Sequence, residues 1–244
     1  MNVSALTDVG LVRNNNEDSF YKSTDFDLPL FVVADGMGGH NAGETASKMA
    51  IEIVKKYFVE NKNSLNSEKR LISIIKDSIK EANEKIYKLS KDDKLCSGMG
   101  TTITLAYILG GKIYIGHVGD SRAYIINNSH ICQITEDHSL VQELVKSGSI
   151  TIEECKTHPQ RNMITRAVGT SEDIEVDIII KTFNQNDILF ICSDGLSNMV
   201  NDNDIIHIFN NESLIKKACE NLIKKAKDNG GKDNITVIAI ELVH

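Results

Sequence analysis

The period of the apolar residues changes in blocks along this chain, and the order of those blocks restricts the fold more than any other feature. Short alternating or apolar runs at residues 3–6, 19–21 and 30–34 read as strands. A helical stripe follows, with Ala42, Ala46, Met49, Ala50, Ile53, Val54 and Tyr57 on one face. A second stripe carries Leu71, Ile75, Ile79, Ala82, Ile86 and Leu89. Strands return at 101–109, 112–117, 123–126 and 131–134, with Gly110-Gly111 as a hairpin turn between the first two. A polar segment with a short helix over about 140–147 leads to strands at 174–181 and 188–192. Helices near 204–209 and over 214–226 precede a last strand at 235–242.

Strands that come in hairpin-connected groups, with helices bunched between them, indicate an α+β fold, not an alternating parallel one. Four amphipathic helices need sheet faces to cover, and two stacked antiparallel sheets flanked by helices accommodate the count. Only Pro29 and Pro159 punctuate the chain, and no Ser/Gly linker or repeat is evident. One domain over residues 1–244 is expected.

With 27 Lys and Arg against 34 Asp and Glu, the formal charge is −7. That balance argues against a nucleic-acid surface, whose affinity comes from clustered cations, and against a polybasic membrane patch. No apolar stretch approaches the roughly 20 residues needed to span a bilayer, and the opening MNVSALTDVG does not read as a secretory signal. The five cysteines, Cys96, Cys132, Cys155, Cys192 and Cys219, have neither zinc-site spacing nor a disulfide pattern, so a reducing, cytoplasmic setting is expected.

Carboxylates gather at the ends of the expected strands. Asp35 precedes Gly36-Met37-Gly38-Gly39, Asp120 follows Gly119, Asp194 precedes Gly195, Asp233 follows Gly230-Gly231-Lys232, and Glu17-Asp18 opens an early strand. Any one Asp-Gly pair is ordinary turn chemistry. Repetition at the ends of buried strands points further, because an unpaired carboxylate there is costly. Hard cations such as Mg²⁺ and Mn²⁺ take such oxygen ligands.

Two other patterns fit poorly. The loop from Gly36 to Gly43 imitates a dinucleotide loop, but Asn41 stands where its third glycine belongs and Asp35 would face a pyrophosphate. Cys155 to Arg161 satisfies the Cys-x5-Arg spacing of cysteine phosphatases, yet it lacks glycine, contains Pro159 and has Glu154 beside the thiol.

From Thr7 to Val237 the chain resembles the protein phosphatase 2C family of metal-dependent Ser/Thr phosphatases in its compact bacterial form. The matching motifs include Thr7-Asp8-Val9-Gly10, Arg13-x-x-Asn16-Glu17-Asp18, Ala34-Asp35-Gly36-Met37-Gly38-Gly39-His40-x-x-Gly43-Glu44 and Gly98-Met99-Gly100-Thr101-Thr102. Val118-Gly119-Asp120-Ser121-Arg122, Asp137-His138-Ser139, His158-Pro159-Gln160-Arg161-Asn162, Ser193-Asp194-Gly195-Leu196 and Gly231-Lys232-Asp233-Asn234-Ile235-Thr236 complete the set in order. Cys155, where a small residue is common, and His117 before the Val-Gly-Asp turn depart from the pattern.

The resemblance implies a four-layer α/β/β/α sandwich with a metal site at one edge of the sheets. Asp35, Asp194, Asp233 and the Gly36 carbonyl look like direct ligands of two Mn²⁺ or Mg²⁺ ions, and Asp18 and Glu17 like holders of their waters. Asp120 with Asp194 resembles the third-metal site of bacterial members, and Arg13 the phosphate-binding arginine. The implied reaction is hydrolysis of phosphoserine and phosphothreonine in proteins by a metal-bridged hydroxide attacking phosphorus in line, without a covalent phosphoenzyme.

His40, titratable near neutrality beside the glycine loop, is the expected general acid; a structural hydrogen bond is its other reading. His138 and Ser139 are expected to be structural. Residues 148–166, polar and aperiodic, read as a flap whose His158 and Arg161 either touch substrate or only pack the loop. Phosphorylated proteins, a cognate Ser/Thr kinase and a monomeric state are the expected partners and assembly. The alternative is an inactive phosphoprotein-binding module on the same fold. Two divalent ions would bring the formal charge from −7 to −3, so the excess acid becomes a means of recruiting positive charge for an anionic substrate.

Overall fold

A computed structural model describes residues 1–23, 27–39, 42–127, 130–155 and 157–243. Its eleven strands are β1 (Val3–Asp8), β2 (Asp18–Lys22), β3 (Leu30–Met37), β4 (Gly100–Thr101), β5 (Ile103–Leu109), β6 (Lys112–Val118), β7 (Arg122–Ile126), β8 (Ile131–Gln133), β9 (Asp177–Thr182), β10 (Ile188–Cys192) and β11 (Ile235–Glu241). The α-helices are α1 (Ala42–Glu60), α2 (Glu68–Asp92), α3 (Leu140–Lys146), α4 (Ile152–Cys155), α5 (Asp194–Ser197), α6 (Asp202–Asn211) and α7 (Ile215–Asp228).

One sheet runs β1-β11-β10-β7-β8 and the other β2-β3-β5-β6-β9, with β4 paired to β3. Every ladder is antiparallel. The layering follows from side-chain alternation along strands. In β3, Leu30, Val32 and Ala34 point into a cluster with Ala46, Val54 and Phe58 of α1 and Leu71, Ile75 and Ile79 of α2. Phe31 and Val33, the intervening residues, meet Ala123, Leu189, Ile191, Ile238 and Ile240 of the opposite sheet. Across that sheet, Tyr124, Phe190 and Val237 pack on Ile205 and Phe209 of α6 and Leu222 of α7. The result is the helix, sheet, sheet, helix stack expected from the sequence. It explains why β3 and β10 read as unbroken apolar runs: both of their faces are buried.

Four elements differ from their sequence reading, one of them the short helix α5, which follows β10 directly. The strand expected at 174–181 starts at Asp177, because its partner β6 has reached His117 there and turns away at Gly119; Ile174 and Val176 instead fill the helix-side core. The run at 101–109 breaks at Thr102, whose hydroxyl accepts the Asp35 N–H at 2.9 Å. The polar segment after α3 holds the short helix α4, where the Thr151 hydroxyl accepts the Glu154 N–H. Among the described residues no helix is long and apolar enough to cross a membrane, and the five cysteines are free thiols.

Candidate active site

Five carboxylates converge because both sheets present strand ends at one edge. Asp18 and Asp35 face each other across the β2–β3 ladder. Asp120 sits in the β6–β7 turn, where the chain passes from one sheet to the other. Asp194 opens α5 just past β10, and Asp233 precedes β11, which pairs with β10. Asp35 proves to lie inside β3. Glycines permit the closeness: a Cβ on Gly36 would collide with the Gly43 carbonyl oxygen of α1, and one on Gly195 with the Asn234 carbonyl oxygen.

Charges brought together in this way resist ionisation. Burial pushes the Asp18 carboxyl up to about 7, aided by Asp194 and Asp233 and opposed by hydrogen bonds from Thr236 and Ser193. Asp194 is pushed up to about 6 by burial and by Asp233, with a hydrogen bond from Asp35 opposing. Asp35 rises well above the ordinary carboxylate range through burial, then through Asp18, Asp194, Asp120 and Asp233. Asp120 rises likewise through burial and Asp194. Glu17 is raised by burial, with Arg13 pulling the other way.

A hard cation fits this environment on two counts. Asp18 Oδ1 and Asp120 Oδ1 are buried without any hydrogen-bond partner, a costly condition that a cation relieves. The donor set is all oxygen, as Mg²⁺ and Mn²⁺ prefer. Even so, among the described residues no three carboxylate, imidazole or thiol groups close around one point as a finished ion cage. The mutual repulsion that raises Asp35 and Asp18 is a physical reason for that openness.

Around the acids lies a hydrogen-bonded frame. The Ser193 hydroxyl donates to Asp18 Oδ2 at 2.7 Å and accepts the Thr236 N–H at 2.9 Å. Thr102, which holds the Asp35 N–H, also bonds Ser121 at 2.8 Å. The Gly119 N–H donates to His138 Nδ1 at 2.9 Å, and His138 Nε2 lies 3.2 Å from Asp177 and 3.0 Å from Arg166 Nη1. Arg166 holds Asp177 at 2.7 Å.

Asn234 is the largest single contributor to this frame. Its Oδ1 accepts the Glu17 N–H at 2.8 Å, while Nδ2 donates to the carbonyls of Val9 (3.0 Å) and Asn15 (2.9 Å). One side chain thus pins both ends of the loop that bears Arg13. Sequence reasoning assigned no role to Asn234, Ser193 or Thr102. Their signal is membership of the matching motifs, where each stands beside an acid or a threonine.

Arg13 is brought to the cluster: its Nη2 lies 2.8 Å from Asp233 Oδ2, and its side chain is 54% exposed. The guanidinium is therefore both anchored and open to a ligand, with further N–H donors on its fork. His40 lies outside the described residues. His158 and Arg161 share a turn after α4, where the Arg161 N–H donates to the His158 carbonyl at 3.2 Å. Among the described residues, no hydrogen bond or ion pair connects either to the carboxylates. Segment 148–166 is tied back by the Leu140 N–H to Met163 and by an isolated bridge between Ser139 and Ile164. Cys155 closes a helical turn with its own N–H bonded to the Thr151 carbonyl. The described N–H groups that follow it are also taken, those of Thr157, His158 and Arg161 by carbonyls of the turn and that of Gln160 by His158 Nδ1, so these do not form the open cradle that a cysteine phosphatase needs.

The family model described as "Protein phosphatase 2C" matches residues 12–230. The serine/threonine phosphatase stp of Listeria monocytogenes serotype 4b is 37% identical over 243 residues, covering 99% of this chain and 96% of its own. A serine/threonine phosphatase structure from S. agalactiae superposes with a TM-score of 0.94 at 38% identity, covering 99% of both chains. The catalytic domain of the serine threonine protein phosphatase PstP, solved with 2 manganese ions, superposes at 0.86 with 32% identity, covering 100% of this chain and 98% of its own.

Proposed function

The chain belongs to the protein phosphatase 2C family and is a serine/threonine protein phosphatase; from that premise we propose that it works with divalent cations, Mn²⁺ or Mg²⁺, held at its strand-end acids. The observation that carries this reading is the pair of buried, unpartnered oxygens of Asp18 and Asp120 within a set of carboxyls all raised by burial and mutual repulsion. Asp35, Asp194, Asp233 and the Gly36 carbonyl would hold two ions directly, Asp18 and Glu17 would orient their waters, and Asp120 with Asp194 would accept a third. When bound, the ions supply Lewis acidity and neutralise charge on the phosphate.

The remaining steps belong to the chain's own side chains. Arg13, braced by Asp233, offers its other N–H groups to the phosphoryl oxygens and orients phosphorus for in-line displacement. Asn234 keeps that arginine's loop seated. His40 would donate the proton that the departing serine or threonine oxygen requires. Residues 148–166 would act as a flap, with His158 and Arg161 facing the protein substrate. The proposed partners are phosphorylated proteins and an opposing Ser/Thr kinase, met by a monomer in the cytoplasm.

The test is phosphate release from a phosphothreonine peptide with Mn²⁺ and with EDTA. Release that requires Mn²⁺ supports the reading. Release that is unchanged by EDTA, or no release under either condition, overturns the metal-site assignment.

A further inference from the structure

We propose that the groove between Leu11 and α7 is a substrate-specificity pocket, taking an apolar side chain of the phosphoprotein two or three residues from the phosphorylated one. The proposal rests on the reading that phosphate is bound at Arg13.

The groove begins in the turn before Arg13. Leu11 and Val12 are 63% and 64% exposed, two consecutive large apolar side chains left open beside a charged site. The turn is not loose, since the Leu11 N–H donates to the Gly231 carbonyl at 2.7 Å and the Leu11 side chain lies against Gly231. Leu11 and Ile223 supply apolar surface to a cavity of about 310 Å³, rimmed by Glu220, Lys224, Lys227 and Asp228.

Every charge on that rim is neutralised. Lys224 pairs with Asp228 at 2.6 Å, Lys227 with Asp8 at 2.9 Å, and Glu220 with Lys217 at 2.7 Å. A charged partner would have to break one of these pairs; an apolar one only displaces water. The rim therefore offers a charged partner no unpaired charge to meet, while Leu11 and Ile223 offer apolar surface.

The occupant follows from continuity with the phosphate site. Leu11 stands two residues before Arg13, and Gly231 two residues before Asp233, so two adjacent strands of chain lead from the groove to the Arg13–Asp233 pair. With consecutive Cα atoms about 3.8 Å apart, the Leu11 Cα lies within about 8 Å of the Arg13 Cα. An extended substrate advances about 3.3 Å per residue. A substrate that leaves the phosphate site along these two segments would pass Leu11 within a few residues of the phosphorylated one, and we take the second or third neighbour as the occupant.

The experiment measures kcat/KM with Mn²⁺ on phosphothreonine peptides that carry leucine or aspartate at each position two or three residues to either side. The expected result is a preference for leucine of about tenfold at one of these positions, carried by KM and equivalent to about 1.4 kcal/mol. In Leu11→Asp that preference should fall to about twofold or less. Leu11 is exposed, so the variant's fold can be verified by circular dichroism, and the wild-type panel decides the first question without it. Equal turnover of all peptides overturns the groove, as does a leucine preference that survives in Leu11→Asp. Self-association of the wild type that Leu11→Asp abolishes assigns the groove to a second copy and overturns it too. Failure to turn over any peptide overturns the proposed function, and this inference with it.

Discussion

Replacing Asp18 by asparagine should stabilise the metal-free protein, and should do so only where Asp18 would otherwise ionise. Its side chain is 7% exposed, with one oxygen held by Ser193 and the other unpartnered. Burial pushes the carboxyl from 3.8 up to about 7. Because the native state keeps a proton that the unfolded chain releases, this group's contribution is fully present below the unfolded value and is lost as pH rises through about 7. Between about pH 5.5 and about pH 7.5 the linkage amounts to about 2 kcal/mol. Asparagine cannot ionise and keeps an acceptor for the Ser193 hydroxyl. The stability gained by Asp18→Asn should therefore be about 2 kcal/mol larger at the higher pH. Comparing the two proteins cancels groups that do not interact with Asp18, while Asp35, which Asp18 helps to raise, is relaxed in the variant and adds to the gain in the same direction. One of the cancelled groups is His117, pushed down to about 4 by burial, whose contribution runs the opposite way and is lost as pH falls. The assay is urea unfolding in EDTA followed by circular dichroism, since the chain contains no tryptophan. An equal gain at both pH values, or a larger gain at the lower one, would refute the picture of Asp18 as a frustrated buried acid.

Asp35→Asn and Asp194→Asn should each lower kcat with Mn²⁺ by about a hundredfold or more, the scale of losing one electrostatic stabiliser; full activity in either would sink the metal-site assignment. Asn234→Ala removes three hydrogen bonds at about 1 kcal/mol each, so unfolding free energy should drop by about 3 kcal/mol. The same change should raise KM for a phosphate ester but add little to Arg13→Ala, and simple additivity in that double-mutant cycle would mean Asn234 does not act through the arginine. Cys155→Ala should leave turnover unchanged; an inactive variant would revive the cysteine mechanism.

Much of the architecture is local and therefore legible. The apolar stripe of α2, from Leu71 to Ile86, is a 3.6-residue pattern that needs no tertiary information, and all five of its Leu, Ile and Ala members in that span are buried in the core. The acids at strand ends are visible for the same reason: Asp35, Asp120, Asp194 and Asp233 each sit at a break in an apolar run. What lies between the elements was harder to read. The strand read at 174–181 starts only at Asp177, because strand identity depends on a partner and the pairing with β6 ends at His117 opposite Asp177.

The chain's own order thus determined that acids, glycines and Arg13 would stand at element boundaries, since backbone periodicity is written in neighbouring residues. Only the tertiary structure decided which of them meet. The β2–β3 register sets Asp18 across from Asp35, and the β10–β11 pairing brings the acids at 194 and 233 together from opposite sides of α6 and α7. Asn234 clamps a loop more than 200 positions away. The upward shifts of the carboxyls likewise arise from desolvation and like-charge proximity, quantities that exist only once distant segments are packed.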